Sequence, residues 1–134
     1  MTLVPTILDA VSSGGARLGV VGGASSLLVS PDGPRLIDTP EFPENFKAEA
    51  RSHMAVLEAL KASSTDVDWF YLSPPATVGA YAPGERTGTY RTGDDNLVVD
   101  AEGISFISGA DFAIAFVDEI DNPIHHRTRF TVGY

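Results

Sequence analysis

The chain has 134 residues, of which 43% are hydrophobic and 20% charged, a formal net charge of −9, and no cysteine. That balance suits one globular domain over residues 1–134, burying roughly two-thirds of its unfolded surface, and excludes a disordered chain. Disulfides and thiolate sites are excluded outright, and nine scattered basic residues argue against nucleic acid, whose phosphates call for clustered cations.

No apolar run approaches the ~20 residues that span a bilayer. The N-terminus also lacks the basic-then-apolar pattern of a secretory signal, so a cytoplasmic location away from membranes is expected.

In chain order, Leu3 to Val11 carries a weak helical repeat (Leu3, Ile7, Leu8, Val11) that ends in Ser12-Ser13-Gly14-Gly15. Paired glycines suit a helix C-terminus. Arg17 to Val21 reads as a short apolar strand closed by Gly22-Gly23-Ala24-Ser25-Ser26, and Leu27 to Ile37 as a strand or loop around Pro31-Asp32-Gly33-Pro34. The longest helical pattern runs from Phe42 to Leu60, with Phe42, Phe46, Ala50, Met54, Leu57 and Leu60 on one face. Thr39-Pro40 offers a start for it.

Val67 to Leu72 follows as a strand and leaves the sheet at Ser73-Pro74-Pro75, since proline cannot continue a central strand. Asn96 to Val99 and Ile104 to Ile107 read as a hairpin around Ala101-Glu102-Gly103. Ser108 with Asp111 resembles a capping pair, and Phe112, Ala113, Phe116, Val117 and Ile120 give the next helix its apolar stripe. Asn122-Pro123 stops that helix, and Thr128 to Val132 is a last strand. Alternating strands and amphipathic helices imply an α/β fold with a mainly parallel, three-layer sheet. Few strands leave exposed edges, so pairing with another chain follows naturally.

Candidate chemistry lies in the loops after strands, where open α/β sheets place ligands. Gly22 to Ser26 is either such a loop, with Ser25 as a hydroxyl donor, or a tight turn that needs glycine. It is not the dinucleotide fingerprint, because Gly19-Val20-Val21-Gly22-Gly23-Ala24 lacks the GxGxxG spacing. Pro74, Pro75, Ala76 and Thr77 form the second loop, able to hold a carboxamide or to serve as an exit turn. Lys47 is either a ribose-binding lysine or a solvated helix charge. Pro83 to Gly88 can act as a lid, with Arg86 for an anionic group, or as a plain connection. His53 has no ligand at i+4, and adjacent His125 and His126 point apart in an extended segment, so no metal site is expected.

The ordered set LGVVGGASSL (18–27), IDTPEFPENFKAEA (37–50), DVDWFYLSPPA (66–76), PGERTGTYRTG (83–93), NLVVDAEGISFIS (96–108) and the stretch from Asp111 to the end resembles the NADH-flavin reductases. These belong to the NmrA-like, atypical branch of the short-chain dehydrogenase/reductases. The resemblance implies the C-terminal half of an NAD(P)-binding Rossmann fold, here without the dinucleotide-binding half and its glycine-rich phosphate loop. It implies NADP or NAD as cofactor, a flavin as possible substrate, and a nicotinamide flanked by Gly22, Gly23, Ala24 and Ser25 on one side and Pro74 to Thr77 on the other. Lys47 would take the place of the family's catalytic lysine, while Pro43 stands where its tyrosine donor is expected.

The resulting expectation is an NAD(P)H-dependent oxidoreductase whose substrate side this chain carries. A homodimer or a second polypeptide would supply the missing half. The alternatives are a non-catalytic assembly module pairing along its exposed edge, and an epimerase or dehydratase of the extended reductase type.

Overall fold

The computed structural model describes residues 3–76 and 84–134. Three long helices, α1 (Leu3–Gly14), α2 (Lys47–Ala62) and α3 (Gly109–Asp121), pack on a sheet of four strands: β1 (Leu18–Val21), β2 (Trp69–Ser73), β3 (Arg91–Gly93) and β4 (Thr128–Gly133). Strand order is β1-β2-β4-β3. β1, β2 and β4 run parallel, while β3 is antiparallel to β4. The sheet is therefore mixed, with its antiparallel member at one edge.

β2 is the spine of the molecule, because all five of its residues are buried. Side chains alternate across a strand, so Trp69 and Tyr71 pack under α1 and α2 with Val4, Leu8, Leu57 and Leu60. Phe70 and Leu72 face the other way, onto Ile107, Ala115, Phe130 and Val132. Three layers follow directly from this period of two. Each large side chain so buried contributes roughly 1.5–3 kcal/mol of transfer free energy.

Local signals explain most element ends. Gly15 takes φ 65° at the end of α1, where Ala16 N–H donates to Val11 C=O and Gly15 N–H to Ser12 C=O, the two bonds of a Schellman stop. Ser108 Oγ accepts from Asp111 N–H and caps α3, as expected from the sequence.

α2 departs from expectation. The apolar pattern begins at Phe42, but the helix begins with a single 3₁₀ turn at Glu44–Phe46 and becomes α-helical at Lys47. Prolines at 40 and 43 push Thr39 and Phe42 out of the helical region, and Thr39 is extended (ψ 151°) with its hydroxyl donating to Leu36 C=O.

The buried face of α3 also differs. Asp111, Ala115 and Glu119 are buried, while Ala113, Val117 and Ile120 are exposed. Only Phe112 and Phe116 of the expected stripe pack on the core. Polar side chains take the inner positions because distant residues satisfy them, as described below.

The segments 96–99 and 104–107 form no regular strands. The chain does reverse between them, where Asp100 N–H donates to Ile104 C=O and Gly103 N–H to Asp100 C=O. The excursion from Gly22 to Asp38 folds back on itself and docks on the rest of the fold. Leu28 N–H donates to Asp95 C=O, Leu97 N–H to Leu28 C=O, and Ile37 N–H to Ser25 C=O.

Candidate functional site

The C-terminal ends of β1 and β2 are neighbours in the sheet, with Val21 opposite Leu72, so the loops that leave them come together. A cleft of about 520 Å³ lies there, walled by Gly22, Gly23, Ala24 and Ser25 after β1 and by Pro74, Pro75 and Ala76 after β2. The third wall is one face of α2 and its lead-in: Phe46, Glu49, Ala50 and His53. Helical periodicity places these positions on a common face. Two loops singled out in the sequence thus share one cavity. Thr77 and Pro83 lie outside the described residues.

Lys47 stands elsewhere. With Arg51 and Met54 it borders a neighbouring groove of about 730 Å³, divided from the cleft by Thr39, Glu41, Phe42 and Pro43, which line both. Its Nζ pairs with Glu44 Oε2 at 2.8 Å, and this bond, together with the lysine charge, holds the Glu44 carboxyl below its usual range. One helical step of about 100° separates Lys47 from the Phe46 face. Arg86 is exposed and is not among the residues lining the cleft.

Ser25 is buried, and its Oγ donates to Ala50 C=O at 3.4 Å, so the hydroxyl tethers its loop to α2. Ser26, in the loop after β1, and Ser73, the last residue of β2, both accept from Arg129 Nη1, at 3.0 and 3.3 Å. The other side of this guanidinium donates through Nε and Nη2 to Asp95 Oδ1. The Arg129 side chain is only 4% exposed. A buried cation in β4 therefore fixes both loops of the cleft.

Tyr71 provides the second brace. Its hydroxyl accepts from Gly23 N–H at 3.1 Å and donates to His53 C=O at 3.1 Å, joining the β1 loop to α2. Burial raises the phenol pKa above its usual value, against the opposing bond from Gly23 and the charge of Arg129.

Gly22 packs on the same ring, where a Cβ would meet Tyr71 Cε1 at 2.0 Å. Gly23 lies under His53, where a Cβ would sit 2.9 Å from Nδ1. Close approach to a side chain requires glycine at position 22 and favours it at position 23, and their conformations are ordinary.

The loop expected as a lid is tied to α3 over part of its length. Asp111, fully buried, accepts from Thr87 N–H, Thr87 Oγ1 and Gly88 N–H, and from the Tyr134 hydroxyl. Burial alone would raise this carboxyl, but those bonds hold it well below the usual carboxylate range.

The cleft's charged lining residues are the carboxylates Glu41 and Glu49. Such a wall repels a pyrophosphate and suits a neutral or cationic ring and hydroxyl groups. Its size falls within the roughly 300–1,000 Å³ of small-molecule sites. The residues present fit the nicotinamide and ribose end of a dinucleotide. Among the described residues, no group of three or more His, Asp or Glu is placed to hold a metal ion.

Sequence reasoning passed over Tyr71, Arg129 and His53 as parts of the site. Helical spacing from Phe46 points to His53 at i+7. A tyrosine in an otherwise apolar strand end, with a polar tip that needs a partner, points to Tyr71. No local signal pairs Arg129 with Ser26, 103 positions away.

No family model matches the chain. YwnB of Bacillus subtilis (strain 168), described as uncharacterized, is 45% identical over 117 residues, 87% of this chain. The chain spans about half the length of that curated relative, 54%. A "putative exported protein" from Burkholderia pseudomallei superposes with TM-score 0.85 at 42% identity, over 98% of this chain and 62% of its own.

A "putative NADH-flavin reductase" from Streptococcus pneumoniae gives TM-score 0.78 at 36% identity, over 88% and 55%. A short-chain dehydrogenase/reductase from Veillonella parvula in complex with NADP shares the fold alone, at TM-score 0.58 and 18% identity. The architecture is Rossmann-like, and the similarity extends to proteins of the NAD(P)-binding type. No helix among the described residues is long and apolar enough to cross a membrane.

Proposed function

We propose that this chain carries the nicotinamide and substrate side of an NAD(P)H-dependent oxidoreductase of the NADH-flavin reductase kind, within the NmrA-like branch of the short-chain dehydrogenase/reductases. The observation that carries the proposal is the convergence of Gly22–Ser25 and Pro74–Ala76 at the C-terminal ends of adjacent parallel strands. That is where open α/β sheets bind nucleotides. Similarity to the pneumococcal protein, by its description a "putative NADH-flavin reductase", supports the same reading.

A bound nicotinamide supplies the hydride. The chain's own residues hold and enclose the ring. Gly22, Gly23 and Ala24 lend backbone to one face, and Pro74 to Ala76 hold the carboxamide side. Phe42 and Phe46 exclude water, and Glu49 or Glu41 accepts from ribose hydroxyls.

Lys47 is left to the neighbouring groove, with its Glu44 partner. The pyrophosphate is assigned to a polypeptide segment that pairs with β1, which lies at the edge of the sheet. A cytoplasmic location, where reduced nicotinamide is supplied, completes the proposal.

Titrating NADPH and NADH into the purified chain tests it. Nicotinamide fluorescence is expected to change with saturable binding, weakened by Ala76→Glu in the cleft wall. No binding at millimolar cofactor would reject the reading for this chain.

A further inference from the structure

We infer that His53 is the proton donor of the cleft, doing the work of the tyrosine that position 43 lacks. The inference rests on the cofactor reading above. His53 lines the cleft with Gly23 and Pro74–Ala76 and is half-buried. Its ring lies over Gly23, where an added Cβ would sit 2.9 Å from Nδ1. The Tyr71 hydroxyl holds the His53 carbonyl and the Gly23 N–H together, so imidazole and loop are set as one unit.

The other titratable groups facing this space are Glu49, one turn earlier on α2, Glu41 in the dividing segment, and Tyr71 below Gly23. A carboxylate at neutral pH only accepts hydrogen bonds. The Tyr71 proton is already given to the His53 carbonyl, and burial makes it harder to release. An imidazole is the group that carries and releases a proton near neutrality.

When NADPH reduces a flavin, one hydride arrives at flavin N5 and the ring is left one proton short at N1. The imidazolium of His53 gives that proton from a ring nitrogen, becomes neutral, and recovers a proton from water.

The test uses NADPH and FMN with the whole chain, following the imidazole proton resonances by NMR alongside turnover. Added NADPH is expected to move the His53 resonance and leave those of His125 and His126, which precede β4 at the opposite end of the sheet. His53→Gln is expected to lower kcat by about 10²–10⁴-fold, the usual contribution of a general acid, with NADPH affinity nearly unchanged.

Wild-type turnover is expected to fall as pH rises, and the variant to lose that dependence. Added imidazole should restore turnover to His53→Ala, an effect that a structural role would not produce.

If NADPH binds but the His53 resonance stays fixed and His53→Gln keeps rate and pH profile, the inference falls while the cofactor reading stands. If NADPH does not bind at all, both fall together.

Discussion

Arg129 donates from Nη1 to Ser73 Oγ at 3.3 Å, so the last strand holds the residue from which the chain leaves β2. The same nitrogen holds Ser26 after β1. Replacing Arg129 with Met keeps volume but removes four hydrogen bonds. Asp95 is 65% exposed and rehydrates when freed, so no stranded buried charge adds to the loss. The expected cost is about 2–3 kcal/mol, the scale of a hydrogen-bonded charged group, read from urea unfolding. Amide exchange should quicken at Ser26 and Ala76 beyond the global change. Equal protection of both amides in the variant would show that Arg129 does not brace the loops.

Tyr71→Phe removes one hydroxyl and unties Gly23 from His53. The expected loss is about 1 kcal/mol or somewhat more, because Gly23 N–H and His53 C=O lose a partner near a cleft where water can partly replace it. The phenol also sets a pH limit. Its pKa is raised in the fold above the usual 10.0, so the unfolded chain ionises first. Stability is fully present below that value and is lost as pH climbs past it. Phenylalanine at this position should remove this part of the alkaline decline, and an unchanged alkaline limb would count against the assignment.

The two cleft glycines should respond unequally to alanine. At Gly22 the new Cβ falls 2.0 Å from a ring atom of Tyr71, which is itself fully buried. Overpacking of this kind costs typically 1–3 kcal/mol and occasionally more, and Gly22→Ala belongs at or above the top of that range. At Gly23 the contact is with His53 Nδ1 at 2.9 Å, and His53 borders open space. Gly23→Ala should fold with a smaller loss, about 1 kcal/mol, while shifting the His53 imidazole resonance. Thermal melting of the two variants compares them directly, and equal losses would contradict the packing described.

β1 lies at one edge of the sheet, and its Val21 is 61% exposed. An uncovered parallel edge with an apolar side chain is a template for another strand. The purified chain is expected to associate in solution, with Val21→Lys weakening the association at unchanged fold. Analytical ultracentrifugation checks this, and a monomer at every concentration would end the idea that a second copy of the chain pairs with β1.

Much of this site was readable from residue types. A glycine pair after RLGVV and a proline pair after WFYLS mark the ends of strands, and adjacent parallel strands bring such ends together. The rotation of α2 was readable too, since Phe46, Glu49, Ala50 and His53 share a face and Lys47 does not. The long apolar repeat from Phe42 hid this, because Phe42 and Phe46 line a cleft and mimic a helical core pattern. The inner face of α3 was beyond local reading. Asp111 and Glu119 look solvent-facing until Thr87, Tyr134, Arg17 and His125 are brought to them by tertiary structure.

Glu119 gives that last point a measurable form. It is buried, and it accepts from Arg17 Nη2 at 2.8 Å and from the N–H groups of Ile124 and His125 at 3.0 Å, with His125 Nδ1 at 2.7 Å from its other oxygen. Burial alone would raise its carboxyl, but the His125 N–H, Arg17 and the other donors bring it down to about 2 from the usual 4.5. A folded pKa below the unfolded one means that the contribution is complete above 4.5 and is lost as pH falls through about 2. Asp68, which pairs with Arg17 and His126, and the His125 ring, 2.7 Å from its Oε1, are the other ionisable groups around it. Glu119→Gln keeps the shape but leaves Arg17 without this partner. Arg17 retains 20% exposure and its bond to Asp68, so the expected cost is about 2–3 kcal/mol, below the usual cost of breaking a fully buried pair. Stability of the variant should fall less steeply than wild type between pH 4.5 and 2, because the proton that wild type takes up there has nowhere to bind. Unfolding curves collected across that window decide it, and parallel acid limbs would mean that Glu119 is not the group being titrated.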